Sequence, residues 1–262
     1  MTGEWKFRDG TLDQAIFNGV VVFNEYRLPD HFEAGDIIID VGAHIGSFAH
    51  AALSRGCENV YAIEPDSQNF EIASQHLRSY IEKGLVKLVN AAAWRSDENN
   101  DELRFDGYHP FPNSYLGMKG IINTGNGSVI WPDGKPVAKV AFDDIVDLVT
   151  NEGEKHVRLI KLDCEGSEWP ILFTSQRLNL IDEICGEFHE LGGPFFEIGE
   201  NRGGKSPIFS EDKEVKYTID VLVNYLNAAG FEVRYSRHRR PTGEPEGLGL
   251  FFAKPTSTLH SQ

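Results

Sequence analysis

Asp36-Ile-Ile-Ile-Asp-Val-Gly-Ala-His-Ile-Gly-Ser-Phe48 reads as a strand, a glycine-bounded turn and the opening of a helix. Ile37 to Val41 is almost continuously apolar and β-branched, the pattern of a strand covered on both faces. Gly42 and Gly46 bracket a turn in which side chains would block a ligand's approach to the backbone. The spacing is G-x-x-x-G with His44 at its centre, so it lacks the second glycine of the G-x-G-x-x-G fingerprint that admits a pyrophosphate. The ligand expected over this turn is nucleotide-like and carries no diphosphate.

The same grammar continues outward. Val60–Ile63, Val86–Val89 and Leu159–Leu162 are further short apolar runs, and the segments Ser47–Arg55 and Ser67–Ile81 between the first three carry helical spacing, with Phe70, Ala73 and Leu77 on one stripe. Strand, helix, strand, helix, strand predicts a doubly wound α/β domain with a mostly parallel sheet. Beyond it, a strand over Val137–Phe142 precedes a short helix over Asp143–Val149 capped by Asp143 or Asp144. A strand at 158–163, a helix at 167–176 and a strand at 183–189 repeat the rhythm, followed by an amphipathic helix from Tyr217 to Ala229 stopped by Gly230. Phe231–Tyr235 and Leu248–Ala253 flank a Pro- and Gly-rich turn, a hairpin signal that places an antiparallel edge on the sheet. Two irregular stretches, 95–136 and 192–214, read as insertions, and residues 1–35 as an N-terminal lead-in to a single domain spanning 1–262.

The chain has 262 residues, 40% of them apolar, enough for one core. Its 40 acidic and 25 basic residues give a net charge of -15, which repels nucleic-acid phosphates and anionic membrane surfaces. Cys57, Cys164 and Cys185 are widely spaced with no metal-ligand pattern, and no run reaches the roughly 20 apolar residues of a membrane span. The expectation is a cytoplasmic protein with a small-molecule acceptor and neither nucleic-acid nor membrane partners; the oligomeric state is not legible.

A cofactor with an amino-acid zwitterion, a sulfonium and an adenosine suits the turn. For S-adenosylmethionine, Asp40 would meet the amino-acid end directly or through water, and Glu64, at the tip of the second strand in Ala62-Ile-Glu-Pro65, would accept the ribose hydroxyls. His44 would cap the turn or pack beside the ligand. A nicotinamide-dependent oxidoreductase shares the sheet and Glu64, and a non-catalytic cofactor binder would keep the fold without the acids described next.

Leu162-Asp-Cys-Glu-Gly-Ser-Glu168 follows a buried strand, so Asp163 and Glu165 fall at the carboxyl edge of the sheet, where open α/β folds bind ligands. Alternation in Gly186-Glu-Phe-His-Glu190 puts Glu187 and His189 on one side of the next strand. A hydroxyl that reacts as a nucleophile must lose its proton. His189 is the first choice of general base because imidazole titrates near working pH, with Asp163 or Glu165 second. The same carboxylates and histidine could instead cage Mg²⁺. The plainer alternatives are helix capping by Glu165 and Glu168, an arginine partner for Glu187 and a core role for His189. The basic run Arg234–Arg240 reads as a solvated sheet edge that discourages strand pairing. Tyr108, Phe111, Asn113, Ser114, Tyr115 and Trp131 of the first insertion either line a pocket or pin the insertion to the body.

Asp40-Val-Gly-Ala-His-Ile-Gly46, preceded by Tyr26-Arg-Leu-Pro29 and followed by Ala62-Ile-Glu-Pro65 and Ile160-Lys-Leu-Asp-Cys-Glu-Gly-Ser-Glu168, resembles the FkbM-type methyltransferases. The likeness runs from about residue 26 to 190. It implies S-adenosylmethionine as cofactor, methylation of oxygens of natural products or sugars, and a seven-stranded class I methyltransferase sheet with a reversed last strand. Carried onto this chain, it implies cofactor contacts from Asp40, Gly42, Ala43, Gly46, Glu64 with Pro65, the Asn90–Ala93 segment including Ala92, and Asp163. The family usually has Asn where this chain has His44.

Overall fold

The computed structural model describes residues 5–97, 102–107, 120–192, 207–209, 216–240 and 242–256. Its backbone is one seven-stranded sheet. The strands are β1 (Ile37–Val41), β2 (Asn59–Ile63), β3 (Val86–Val89), β8 (Leu159–Leu162), β9 (Ile184–His189), β10 (Phe231–Arg239) and β11 (Pro245–Pro255). Their spatial order is β10-β11-β9-β8-β1-β2-β3. β9, β8, β1, β2 and β3 pair in parallel, while β11 pairs antiparallel with both β9 and β10. The expected mostly parallel sheet with an antiparallel edge is therefore present.

All five residues of β1 are buried, and alternation divides them between two layers. Ile37, Ile39 and Val41 pack with Phe142, Trp169 and Leu222, contributed by α5 (Phe142–Thr150), α6 (Glu168–Thr174) and α7 (Ile219–Ala228). Ile38 packs the other way with Phe48, Ala49 and Ala52 of α2 (Ser47–Leu53). Because the sheet order steps outward on both sides of the β1–β8 pair, a crevice opens at the carboxyl tips of these two strands.

Four local expectations are corrected. The helix expected over Ser67–Ile81 is two, α3 (Ser67–His76) and α4 (Arg78–Glu82), which meet at Leu77, where the backbone turns (ψ 2°) and the fully buried side chain packs over Gly46. Neither Asp143 nor Asp144 caps α5. Its N-cap is Ala141, and the Asp143 carboxylate accepts from the Ser175 hydroxyl (2.6 Å) and the Gln176 N–H (2.8 Å), tying α5 to the end of α6. The basic run is not wholly a solvated edge: Arg237 pairs with the fully buried Glu190 and His238 Nδ1 lies 3.3 Å from Glu187, while Arg234 meets only the exposed Glu232. Finally, the glycines of the first turn serve the protein's own packing. A Cβ on Gly42 (φ 78°) would lie 1.9 Å from the Asp163 carbonyl oxygen, and one on Gly46 (φ 91°) would crowd Leu77.

The lead-in is more than a connection: α1 (Asp13–Phe17) and a following π-helical turn, Asn18–Val22, fold over the crevice. Of the first insertion, β5 (Arg104–Phe105) pairs with β6 (Lys135–Pro136), and β7 (Lys139–Ala141) pairs in parallel with β4 (Ala92–Trp94), so the segment after β3 is itself a strand. Trp131 is buried in the core, which pins the insertion to the body. Tyr108, Phe111, Asn113, Ser114 and Tyr115, and residues 193–206 and 210–214 of the second insertion, lie outside the described residues. No helix among the described residues is long and apolar enough to cross a membrane.

Candidate active site

A cavity of about 320 Å³ occupies the crevice. One end is formed by Gly42, Ala43 and His44 of the turn after β1, Ile63, Glu64 and Pro65 at the tip of β2, and Ala92 and Ala93 of β4. The other end is acidic, with Glu25, Asp163, Glu165 and Glu187, and includes Tyr26, Lys161 and His238. Leu12, Ala15, Ile16 and Val20 of the lead-in and Phe105, Thr124 and Val129 of the first insertion complete the walls. Of the residues singled out from sequence, Asp40, Gly46 and His189 do not line it.

Asp40 is fully buried beneath the turn, with Oδ1 3.4 Å from Lys161 Nζ, so an ion pair replaces its expected contact with the ligand. Lys161 is a charge inside an apolar strand, only 4% exposed. Burial alone would lower its pKa, but Asp40 and Asp163 outweigh burial and raise it, keeping the ammonium charged. Its Nζ donates to the carbonyls of Gly42 and Val41 (the latter at 3.3 Å) and lies 3.8 Å from Asp163 Oδ2, binding the end of β1 to the end of β8. The hydroxyl of Tyr26, 5% exposed, donates to the same Asp163 oxygen at 2.8 Å.

At the opposite end the Glu64 carboxylate accepts from the backbone N–H groups of His44 (2.8 Å) and Asp66 (2.9 Å). Burial pushes its pKa to about 8, even though these bonds favour the charged form. Burial lowers His44 to about 4, so its ring is neutral at pH 7. The Thr124 hydroxyl donates to Asp13 Oδ1 at 2.6 Å, which leaves its oxygen to accept from His44 Nε2, 2.8 Å away. The His44 proton therefore sits on Nε2. Asp13, which also takes three hydrogen bonds from Arg8, belongs to the lead-in, and Thr124 to the insertion. One chain of hydrogen bonds thus links three distant segments at the glycine turn.

The base assignment changes. His189 is 3% exposed and lies behind the acidic wall, with Nδ1 3.2 Å from Glu168, and Nε2 3.4 Å from Glu165 and 3.8 Å from Glu187. Burial would discharge it, but Glu165 and Glu168 outweigh burial and raise its pKa well above the usual imidazole value. Because His189 does not line the cavity, the group that meets an acceptor there is a wall carboxylate rather than this imidazole. Glu168 does not cap α6, whose N-cap is Ser167 with no side-chain cap hydrogen bond; its carboxylate instead accepts from the N–H groups of Cys164 (2.9 Å) and Gly166 (2.8 Å) in the loop before the helix. Glu165 is brought into the wall by a left-handed turn (φ 53°), and burial lifts its pKa to about 7. Glu187 meets His189 and His238 rather than an arginine. Burial, with Asp163 and Glu165 beside it, raises the pKa of Glu187, and burial, with Glu168 and Asp163 beside it, raises that of Cys164, which stays a thiol.

Tyr26, Glu25 and Lys161 were missed as site residues. Lys161 carries a signal, a cation in the middle of Leu159-Ile-Lys-Leu162, and Tyr26 stands in the Tyr26-Arg-Leu-Pro29 stretch of the family resemblance, which does not assign it a site role.

A doubly wound sheet with a reversed edge and a crevice at the β1–β8 tips defines the class I methyltransferase architecture. The FkbM methyltransferase domain model matches residues 40–233, and the chain belongs to that family of S-adenosylmethionine-dependent methyltransferases. A putative S-adenosylmethionine-dependent methyltransferase from Listeria monocytogenes superposes with a TM-score of 0.50 at 12% identity, over 92% of this chain and 99% of that one. A methyltransferase FkbM from Methylobacillus flagellatus KT superposes with a TM-score of 0.47 at 16% identity, over 89% of this chain and 47% of that one. No curated protein matched the sequence. Family membership selects methyl transfer over the hydride-transfer and non-catalytic readings.

Proposed function

We propose that this enzyme methylates a hydroxyl group of a small molecule. The residues in the crevice fit S-adenosylmethionine. The Ile63, Ala92 and Ala93 wall suits an adenine, Glu64 lies where ribose hydroxyls would be accepted, and the acidic end suits a cationic sulfonium and ammonium. When bound, the cofactor supplies an electrophilic methyl group.

The observation that carries the hydroxyl reading is the carboxyl group of Glu165 in the cavity wall, beside Asp163, with His189 at 3.4 Å and no arginine or lysine partner among the described residues. An alcohol oxygen gains a methyl group and releases a proton, which needs an acceptor within hydrogen-bond reach. Glu165 is that acceptor in this reading. Asp163, held by Tyr26 and Lys161, orients the hydroxyl. The apolar face of Leu12, Ile16 and Val20 packs the acceptor's carbon skeleton and excludes water. Alignment of the oxygen with the transferred methyl is the main task, and positioning of this kind supplies about 7–11 kcal/mol of barrier reduction.

The test is turnover of methyl-labelled S-adenosylmethionine against a panel of sugars, phenols and aliphatic alcohols beside matched amines. Methyl ether formation is expected, with Glu165→Gln lowering turnover by about 10²–10⁴-fold while S-adenosylhomocysteine binding persists. Methylation confined to amines contradicts the proposal.

A further inference from the structure

We propose that the acidic end of the crevice is a divalent-metal site whose protein ligands are Asp163, Glu187 and His189. Binding at the site stands on the geometry below; the role given to the metal rests on the methyl-transfer reading. One oxygen each from Asp163 and Glu187 and one ring nitrogen of His189 lie within 4.8 Å of one another. Ligand atoms about 2.1 Å from a common ion lie about 3–4 Å apart, so the widest separation in the set would have to shorten by up to about 1–2 Å on binding. The carboxylates come from two adjacent parallel strands, a rigid frame for such a site.

The orientation of His189 is an independent indication. The Glu168 carboxylate is fixed by the N–H groups of Cys164 and Gly166 and holds His189 Nδ1 at 3.2 Å. The imidazole is 3% exposed, and its Nε2 is directed at the carboxylates with no hydrogen bond among the described residues. A carboxylate that orients the far nitrogen of a buried histidine is the usual outer shell of a protein metal site.

Charge points the same way. Asp163, Glu165, Glu168 and Glu187 lie about His189, whereas Lys161, 3.8 Å from Asp163, also pairs with Asp40. His238 faces Glu187 from β10 at 3.3 Å. A metal ion takes the place of the proton on Nε2, which leaves to solvent.

An imidazole beside two carboxylates suits Mn²⁺ better than Mg²⁺, which prefers oxygen ligands and retains its waters. The side chains of Asp163 and Glu187 are 28% and 20% exposed toward the cavity, so the remaining coordination positions face the acceptor. There the ion would bind acceptor oxygens and lower the pKa of a hydroxyl.

Mn²⁺ titration of chelator-treated protein, followed by electron paramagnetic resonance, tests the site. One Mn²⁺ bound per chain is expected, with nitrogen modulation from an imidazole ligand in the wild-type spectrum, and affinity at least about tenfold weaker in Glu187→Gln and His189→Gln. Thermal stabilisation of each variant by S-adenosylhomocysteine reports an intact crevice. Absence of nitrogen modulation in the wild type, or equal Mn²⁺ affinity in wild type and folded variants, overturns the proposal. Tight Mn²⁺ binding without any response to S-adenosylhomocysteine would leave the metal site standing and remove the methyl-transfer reading.

Discussion

The phenolic hydroxyl of Tyr26 donates to Oδ2 of Asp163 at 2.8 Å, joining the segment before β1 to the tip of β8. The bond orients a carboxylate that lines the cavity and seats the lead-in over it. Tyr26→Phe keeps the ring, and its packing against Phe48, while removing the donor. A loss of about 1 kcal/mol in stability is expected, with a larger fall in turnover than in S-adenosylhomocysteine affinity. Calorimetry and steady-state kinetics on the same preparation check it; unchanged turnover would show that the bond only packs the lead-in.

Lys161 holds the ends of β1 and β8 together from inside the sheet. Lys161→Met leaves Asp40 buried and uncompensated and removes the donor to the Gly42 and Val41 carbonyls. Breaking a buried pair on one side costs about 3–5 kcal/mol, so urea denaturation should show a large shift to lower midpoint. The double variant Lys161→Met with Asp40→Leu should recover part of it.

Acid should remove two particular contributions to stability, in two stages. His44 titrates at about 4 in the folded chain against a reference of 6.5, so the unfolded chain binds a proton that the folded chain refuses. The His44 contribution to stability, about 3 kcal/mol in total, is lost as pH drops from about 6.5 to 4, against an opposite contribution from the raised carboxyls of Glu64 and Glu165. Asp13 is the second stage. Burial alone would raise it, but the bonds from Arg8 and Thr124 outweigh burial and bring it from 3.8 to about 2. Its contribution is complete above about pH 4 and is lost as pH falls toward 2. Urea midpoints of the wild type and His44→Asn measured from about pH 7 down to 2 check both stages, and the difference between the two proteins should shrink between about pH 6.5 and 4.

Much of this fold is legible in local pattern. Ile37–Val41 and Leu159–Leu162 announce buried parallel strands because both faces are covered, and the turn around Gly243 announces the closing hairpin. Alternation along β9 makes Glu187 and His189 neighbours, 3.8 Å apart. Depth is what alternation does not encode: Glu187 reaches the cavity while His189 lies behind it among carboxylates that raise its pKa. Asp40 misleads for a related reason, since its position before Gly42 matches a ligand contact and only the distant Lys161 reveals its partner. Tyr26, Glu25 and Thr124 come to the cavity through contacts far apart in sequence, which periodicity cannot register.

The central claim is that the crevice between the turn at 42–46 and the acids near 163 binds S-adenosylmethionine, and thermal denaturation of the chain with S-adenosylhomocysteine, beside NAD as comparison, tests it most directly. Stabilisation approaching about 2.7 kcal/mol at 100 times the dissociation constant is expected with S-adenosylhomocysteine, and none with NAD. Stabilisation by NAD, with no response to S-adenosylhomocysteine, would contradict it.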